Sequence, residues 1–263
     1  MFIAEAQDFT GHIKGGIYLD AHQHKPDQDL VGTMPTATTT LVKIPLLLVA
    51  AYSNFITFTP PNPRSAPDEQ GKYSAVKYIT ITQSFILFEV VTILATCLPS
   101  HLADRVLPML GWRSPTSTLG VHLTLPFLIG AFLCGVGGII RILCYRALGR
   151  HFTFELSLRK DHKLVTDGPY AVVRHPSYTA LIMVTVGTLL CLTGSGSWLA
   201  ESGVMNTLVG RLLVVAWAAE VVWIPIVMIM RVGTEDEILR KEFKEEWEAW
   251  SKRTPYKLVP GLL

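Results

Sequence analysis

Of 263 residues, 49% are hydrophobic and only 17% charged, and the formal net charge is +2. Together with a positive mean hydropathy this excludes an ordinary soluble domain of this size. The basic residues are interleaved with acids and bracketed by apolar blocks, which argues against nucleic-acid binding.

Residues 1–40 are rich in Thr, His, Asp and Gly and lack the basic start and apolar h-region of a cleavable signal, so a mobile tail is expected there. Five apolar blocks follow, at 41–58, 79–98, 121–143, 180–192 and 208–230. Each approaches the ~20 residues with which a helix crosses a ~30 Å hydrocarbon core, the fourth only by including Tyr178 and Trp198. Between the first two blocks, residues 60–71 contain four prolines and are read as an irregular loop. Glu89 lies in the middle of the second block, where an acid faces protein or water, and packing between helices is its simplest role. In the third block, Gly135 to Gly138 allow close helix approach rather than a phosphate cradle, for which the strand-to-helix context is missing. The four cysteines, Cys97, Cys134, Cys144 and Cys191, all fall in or beside apolar blocks without metal-ligand spacing. They read as reduced packing residues, and no metal site is expected.

With these spans, seventeen Lys and Arg fall in the loops of one face and four in those of the other. The positive-inside rule therefore predicts a cytosolic C-terminus and an N-terminus on the opposite side. The expected fold is an all-α integral membrane protein with about five transmembrane helices and a cytosolic amphipathic C-terminal helix. It divides into the 1–40 tail, N-terminal transmembrane helices over 41–134 and a core over 135–263.

Most residues capable of chemistry lie beyond Arg141. The 38 residues from Arg141 to Tyr178 are basic, aromatic and turn-forming, and too long for a simple connector. Asp167-Gly168-Pro169 signals a turn. His175-Pro176 breaks the backbone just before the fourth span, leaving amides that need partners other than a helix ladder. After the fifth span, Thr234 followed by Glu235, Asp236 and Glu237 predicts a helix start. Leu239, Phe243, Trp247 and Trp250 recur at helical spacing, forming a face for the bilayer or for the preceding loop.

Over about 135–263 the sequence resembles the isoprenylcysteine carboxyl methyltransferase family, part of a wider group of membrane methyltransferases and sterol reductases. The resemblance rests on His162-x-Leu164-Val165-Thr166-x-Gly168-x-Tyr170, Arg174-His175-Pro176-x-Tyr178, Gly187-Thr188 and Arg231. It continues through Glu235-Asp236-x-x-Leu239-x-x-x-Phe243-x-x-Glu246-Trp247. The closing Arg253-Thr254-Pro255-Tyr256-x-Leu258-x-Pro260 is similar to the tail of fungal members. Ala180 stands where the pattern has Gly, Asp236 where it has Glu and Trp247 where it has Tyr.

The resemblance implies S-adenosyl-L-methionine as methyl donor and the carboxylate of a prenylated C-terminal cysteine of membrane-associated proteins as acceptor. It also implies a multi-pass location in the endoplasmic reticulum bilayer with cytosolic catalytic loops. Such a carboxylate, with a reference pKa of about 3.3–3.7, is already ionised and needs no general base. It does call for a planar cationic fork. The resemblance assigns this acceptor role to Arg141 and Arg231, each at a span end, where a snorkelling arginine is the plainer alternative. For the donor it points to His162, Leu164, Val165, Gly168, Tyr170, Arg174, His175, Pro176, Tyr178, Glu235 and Asp236. Arg174 suits either the donor's carboxylate or a lipid phosphate. Two other activities belong to the wider group, phospholipid amine N-methylation, whose ammonium needs a base, and nicotinamide-dependent sterol reduction, usually in longer chains.

Overall fold

The computed structural model describes residues 40–62, 75–112, 120–152 and 163–262. Nearly all of the expected 1–40 tail, most of the proline-rich 60–71 loop and His162 lie outside them. Every regular element among the described residues is helical.

Helix α1 (Lys43–Phe58) and α2 (Ala75–Ala95) are followed by α3 (Ser100–Met109), a short helix between the second and third apolar blocks. Helix α4 (Leu125–Leu148) begins where the Thr124 hydroxyl accepts from Phe127 N at 3.3 Å, with proline in the first turn, where its missing N–H costs no helix bond. Helix α5 (Pro176–Thr193) also starts on proline, and α6 (Trp198–Glu201) is a single turn capped by Ser197. Helix α7 (Leu208–Phe243) is capped by Thr207, which accepts from Gly210 N at 3.0 Å, and α8 (Glu245–Arg253) ends the helical part.

Four of these elements are long and apolar enough to cross a membrane: Tyr78–Ala95, Leu125–Leu148, Pro176–Glu201 and Leu208–Phe243. The chain is thus an all-helical integral membrane protein. Helix α1 is equally apolar but has 16 residues, about 24 Å at ~1.5 Å per residue, a little short of the hydrocarbon core.

The C-terminal region departs from the sequence reading in one respect. No new helix starts at Thr234, because α7 runs unbroken for 36 residues through Glu235 and Asp236. The break comes at Lys244, the only non-glycine described residue at positive φ (45°). Continuity matters for the site, since it fixes both acids rigidly to a membrane helix.

The most extensive helix contact joins α4 to α5. It depends on Gly130 and Gly187, which face one another so closely that a Cβ on Gly187 would lie 2.5 Å from Gly130 O. Gly137 likewise approaches Ala180, whose carbonyl would be 2.9 Å from an added Cβ, so the small residue needed at this crossing is Gly137 while Ala180 is accommodated. Helix α1 covers the same pair from the other side, with Ser53 against Gly138.

Several polar groups inside the bundle pair across helices. Asn54 donates to Thr188 Oγ1 at 2.7 Å and accepts from the Tyr78 hydroxyl at 3.0 Å, joining α1, α2 and α5. Glu89, read from sequence as a packing acid, forms a fully buried ion pair with Lys43 Nζ at 2.5 Å. Lys43 also donates to Gly196 O at 2.7 Å, and Glu89 accepts from Trp198 N at 3.3 Å. A second, smaller core lies at the opposite end of α1, where Cys144, Phe152, Tyr170, Trp247 and Trp250 meet.

Candidate active site

The end of the bundle carrying this second core is where the α1 and α4 C-termini, the α5 N-terminus and the far part of α7 converge. Its floor is Arg141, 3% exposed. Arg141 donates to Thr57 O (3.0 Å), to Ser177 O (3.2 Å), to the Ser177 hydroxyl and to the Tyr145 hydroxyl (3.0 Å). Tyr145, one helical turn beyond it, passes its own proton to Ile56 O at 2.6 Å. The guanidinium lies 5.1 and 5.0 Å from the Tyr145 and Phe152 ring centroids. Arg141 is therefore far more constrained than a snorkelling residue, tying α1 and α5 to α4.

The wall is made where the α5 N-terminus meets α7. His175 Nε2 donates to Asp236 Oδ1 at 2.9 Å, and Arg174 reaches Asp236 Oδ2 at 3.3 Å, so one buried carboxylate takes both the guanidinium and the imidazole of the Arg-His-Pro motif. Tyr178 donates to Glu235 Oε2 at 2.6 Å and stacks on His175 with centroids 5.7 Å apart. Adjacent residues of one α7 turn thus hold consecutive parts of the α5 start. Arg231, half-buried one turn before Glu235, and Arg141 both act electrostatically on the Tyr178 phenol.

The remaining predicted residues fall nearby. Leu164 and Val165 pack against the second core, and Pro176 is the buried first residue of α5. Gly168 takes φ +60° at the start of a 3-10 turn, Gly168–Ala171, a backbone conformation that favours glycine. Tyr170 lies in that turn, its phenol pushed well up by burial, so it stays protonated. Among the predicted site residues only His162 escapes description.

Sequence reasoning missed Tyr145, Ser177 and Thr57. The signal for Tyr145 was its position four residues after Arg141; for Thr57 there was none, since its contribution is a backbone carbonyl. Trp247 and Trp250, placed by periodicity on a face for bilayer or loop, face the Gly168–Ala171 turn: Trp250 Nε1 donates to Tyr170 O at 3.1 Å.

The surroundings suit a polar ligand. Arg174 Nε and Trp247 Nε1 are buried donors with no hydrogen-bond partner among the described residues, and the guanidinium sits 5.7 Å from the Trp247 ring. Buried donors of this kind are costly unless something accepts from them. No group of three or more His, Cys, Asp or Glu among the described residues is arranged to hold a metal ion.

A helical membrane protein with an acid-and-arginine site at one end of its bundle is the class these features define. Residues 128–241 match the model of the isoprenylcysteine carboxyl methyltransferase (ICMT) family. Protein-S-isoprenylcysteine O-methyltransferase B of Arabidopsis thaliana is 30% identical over 122 residues, 46% of this chain and 52% of that protein. The Schizosaccharomyces pombe protein-S-isoprenylcysteine O-methyltransferase is 29% identical over 126 residues, 47% of this chain and 45% of its own length. Protein-S-isoprenylcysteine O-methyltransferase A of Arabidopsis thaliana is 38% identical over 65 residues, 24% of this chain and 33% of that protein. The chain spans about half the length of the curated relatives it matches. No solved structure matches it significantly. A methyltransferase family implies a methyl donor.

Proposed function

We propose that this protein methylates the C-terminal carboxylate of a prenylated cysteine, using S-adenosyl-L-methionine, in the endoplasmic reticulum membrane with the site facing the cytosol. The observation that carries this reading is the union of Arg174, His175 and Tyr178 with Asp236 and Glu235 inside the family-matched region, with Arg141 and Arg231 at its edge. The seventeen-to-four asymmetry of Lys and Arg supports the cytosolic orientation.

The residues present fit the donor. Arg174 Nε and Trp247 Nε1 offer unpaired N–H groups to a carboxylate, while Glu235 and Asp236 suit an ammonium or ribose hydroxyls. When bound, S-adenosyl-L-methionine supplies an electrophilic methyl on a sulfonium. The protein's task is then to orient and to exclude water, since the acceptor carboxylate is ionised without help. Arg231, at the border between membrane helix and water, receives that carboxylate. Arg141, locked by four hydrogen bonds, provides a fixed positive charge that requires no reorganisation. His175 and Tyr178 hold Asp236 and Glu235 in place rather than moving protons in the reaction.

The test is transfer of labelled methyl from S-adenosyl-L-methionine to a farnesylated cysteine analogue by the purified protein in lipid nanodiscs. Base-labile methyl ester appearing only with the protein is the expected result. Labelled phospholipid amine in place of ester would transfer the reading to lipid N-methylation, and absence of donor binding would overturn it.

A further inference from the structure

The family match ends at residue 241, yet the chain beyond it is built into the site. After α8 the backbone turns back along the start of α5. Arg174 N donates to Tyr256 O at 2.9 Å and His175 N to Lys257 O at 2.8 Å, consecutive amides to consecutive carbonyls. The Thr179 hydroxyl, one turn into α5, donates to Leu258 O at 2.6 Å. Upstream, Thr254 Oγ1 donates to Ala171 O at 3.4 Å. Two side chains seat the segment: Thr254 is 2% exposed and Leu258 5%, whereas Tyr256 and Val259 between and after them are about 40% exposed.

The position of these bonds is dictated by Pro176. A helix leaves its first amides without ladder partners, and proline at the first position prevents the preceding residues from joining the helix. Arg174 and His175 therefore need acceptors from elsewhere, at a depth where water is scarce. These are also the two residues whose side chains converge on Asp236. Whatever fixes their backbone fixes both partners of that carboxylate.

We infer that residues 254–258 are a positioning strap for the donor side of the site, acting through the backbones of Arg174 and His175, with Leu258 as the anchor. The inference rests on the proposed donor site only for its functional consequence. The strap's hydrogen bonds go to Ala171, Arg174, His175 and Thr179, on the donor side, so loosening it weakens donor binding more than acceptor binding. A segment that contributed only general stability would instead lower the amount of folded protein and leave both affinities of the remainder unchanged.

The experiment uses the full chain in nanodiscs and the variants Leu258→Asp, Leu258→Ile and Thr179→Val. Three quantities are read: Kd for S-adenosyl-L-methionine by equilibrium dialysis, KM for the farnesylated cysteine analogue, and amide exchange in the 170–179 peptide. Leu258→Asp is expected to weaken donor binding tenfold or more and to speed exchange at Arg174 and His175, with the acceptor KM changed less than twofold. Leu258→Ile stays within twofold throughout. Thr179→Val removes the hydroxyl bond while keeping the apolar anchor. It should weaken donor binding about three- to tenfold, and it decides the matter if the aspartate variant does not fold. Wild-type donor affinity in a folded Leu258→Asp or Thr179→Val protein, or unchanged exchange in both, overturns the strap. If the parent protein binds the donor but methylates another acceptor, the proposed acceptor falls while the strap is still judged by Kd and exchange. If it binds no donor, faster exchange alone upholds the backbone contacts, and the positioning role is overturned.

Discussion

Replacing Asp236 by Asn tests the joint between α5 and α7 with almost no change in volume. Asp236 accepts from His175 Nε2 at 2.9 Å and from Arg174 at 3.3 Å, and the side chains of Arg174 and Asp236 are 10% and 11% exposed, so solvent screens the pair little. Asparagine can still accept one neutral hydrogen bond but no longer opposes the Arg174 charge. A hydrogen bond to a charged group contributes about 1.5–3 kcal/mol against about 0.5–1.5 kcal/mol for a neutral one. The net loss is therefore on the order of 1–2.5 kcal/mol, and at about 1.4 kcal/mol per factor of ten this corresponds to roughly a 5- to 60-fold weaker donor Kd. Equilibrium dialysis with labelled S-adenosyl-L-methionine measures it directly, and Arg174→Met with the Asp236→Asn/Arg174→Met double variant completes a cycle. If the two residues act as a unit, the double variant loses less than the sum of the single losses. Donor binding by Asp236→Asn within twofold of the parent, or strictly additive losses, would refute this account of the wall.

Three further outcomes follow from particular contacts. Glu89→Ala leaves Lys43 fully buried without its ion-pair partner, so thermal unfolding in detergent should show a loss of about 3–5 kcal/mol, whereas Lys43→Met/Glu89→Leu should recover most of it. Gly187→Val is expected to abolish folded protein on size-exclusion chromatography, because even a Cβ meets Gly130 O at 2.5 Å, while Gly135→Ala, whose nearest neighbour would be Val49 at 3.6 Å, should elute as the parent does. Arg231→Lys keeps the charge but loses the planar fork. Steady-state kinetics should show the acceptor KM raised about tenfold with the donor Kd unchanged, in line with the ~1.5–3 kcal/mol of a charge-assisted bond.

The apolar blocks made the bundle legible because a helix in hydrocarbon must be apolar along nearly its whole length, and all five blocks became helices. What the blocks could not show is which polar residue meets which. Lys43 and Glu89 are 46 residues apart, and only the return of α2 against α1 brings them together. Helix α3 has too few apolar residues to resemble a span. The Thr234 signal was locally sound, a hydroxyl followed by three acids, but the ladder of α7 was already running and its continuation needs no cap. Within the site, the two motif segments, Arg174 to Tyr178 and Glu235 to Asp236, lie against one another. Their pairing into specific bonds depends on how far α7 continues past the membrane surface, which composition does not encode.

Arg141 shows how a structural role and a proposed chemical one can rest on one residue. Its bonds to Thr57 O and Ser177 hold the end of α1 and the beginning of α5 against α4, so removing the guanidinium would leave buried acceptors at each point. An Arg141→Ala protein that lost activity would therefore leave open whether the missing part was a charge for the acceptor or the frame that positions His175 and Tyr178 two helices away. Arg231 lies on α7 itself, one turn from Glu235, where the helix is already fixed by Asp236 and its two partners. The informative contrast is consequently between the two arginines. A loss confined to the acceptor at Arg231, set against a loss of both affinities at Arg141, is what this arrangement of helices demands of a site whose positive floor is also its keystone.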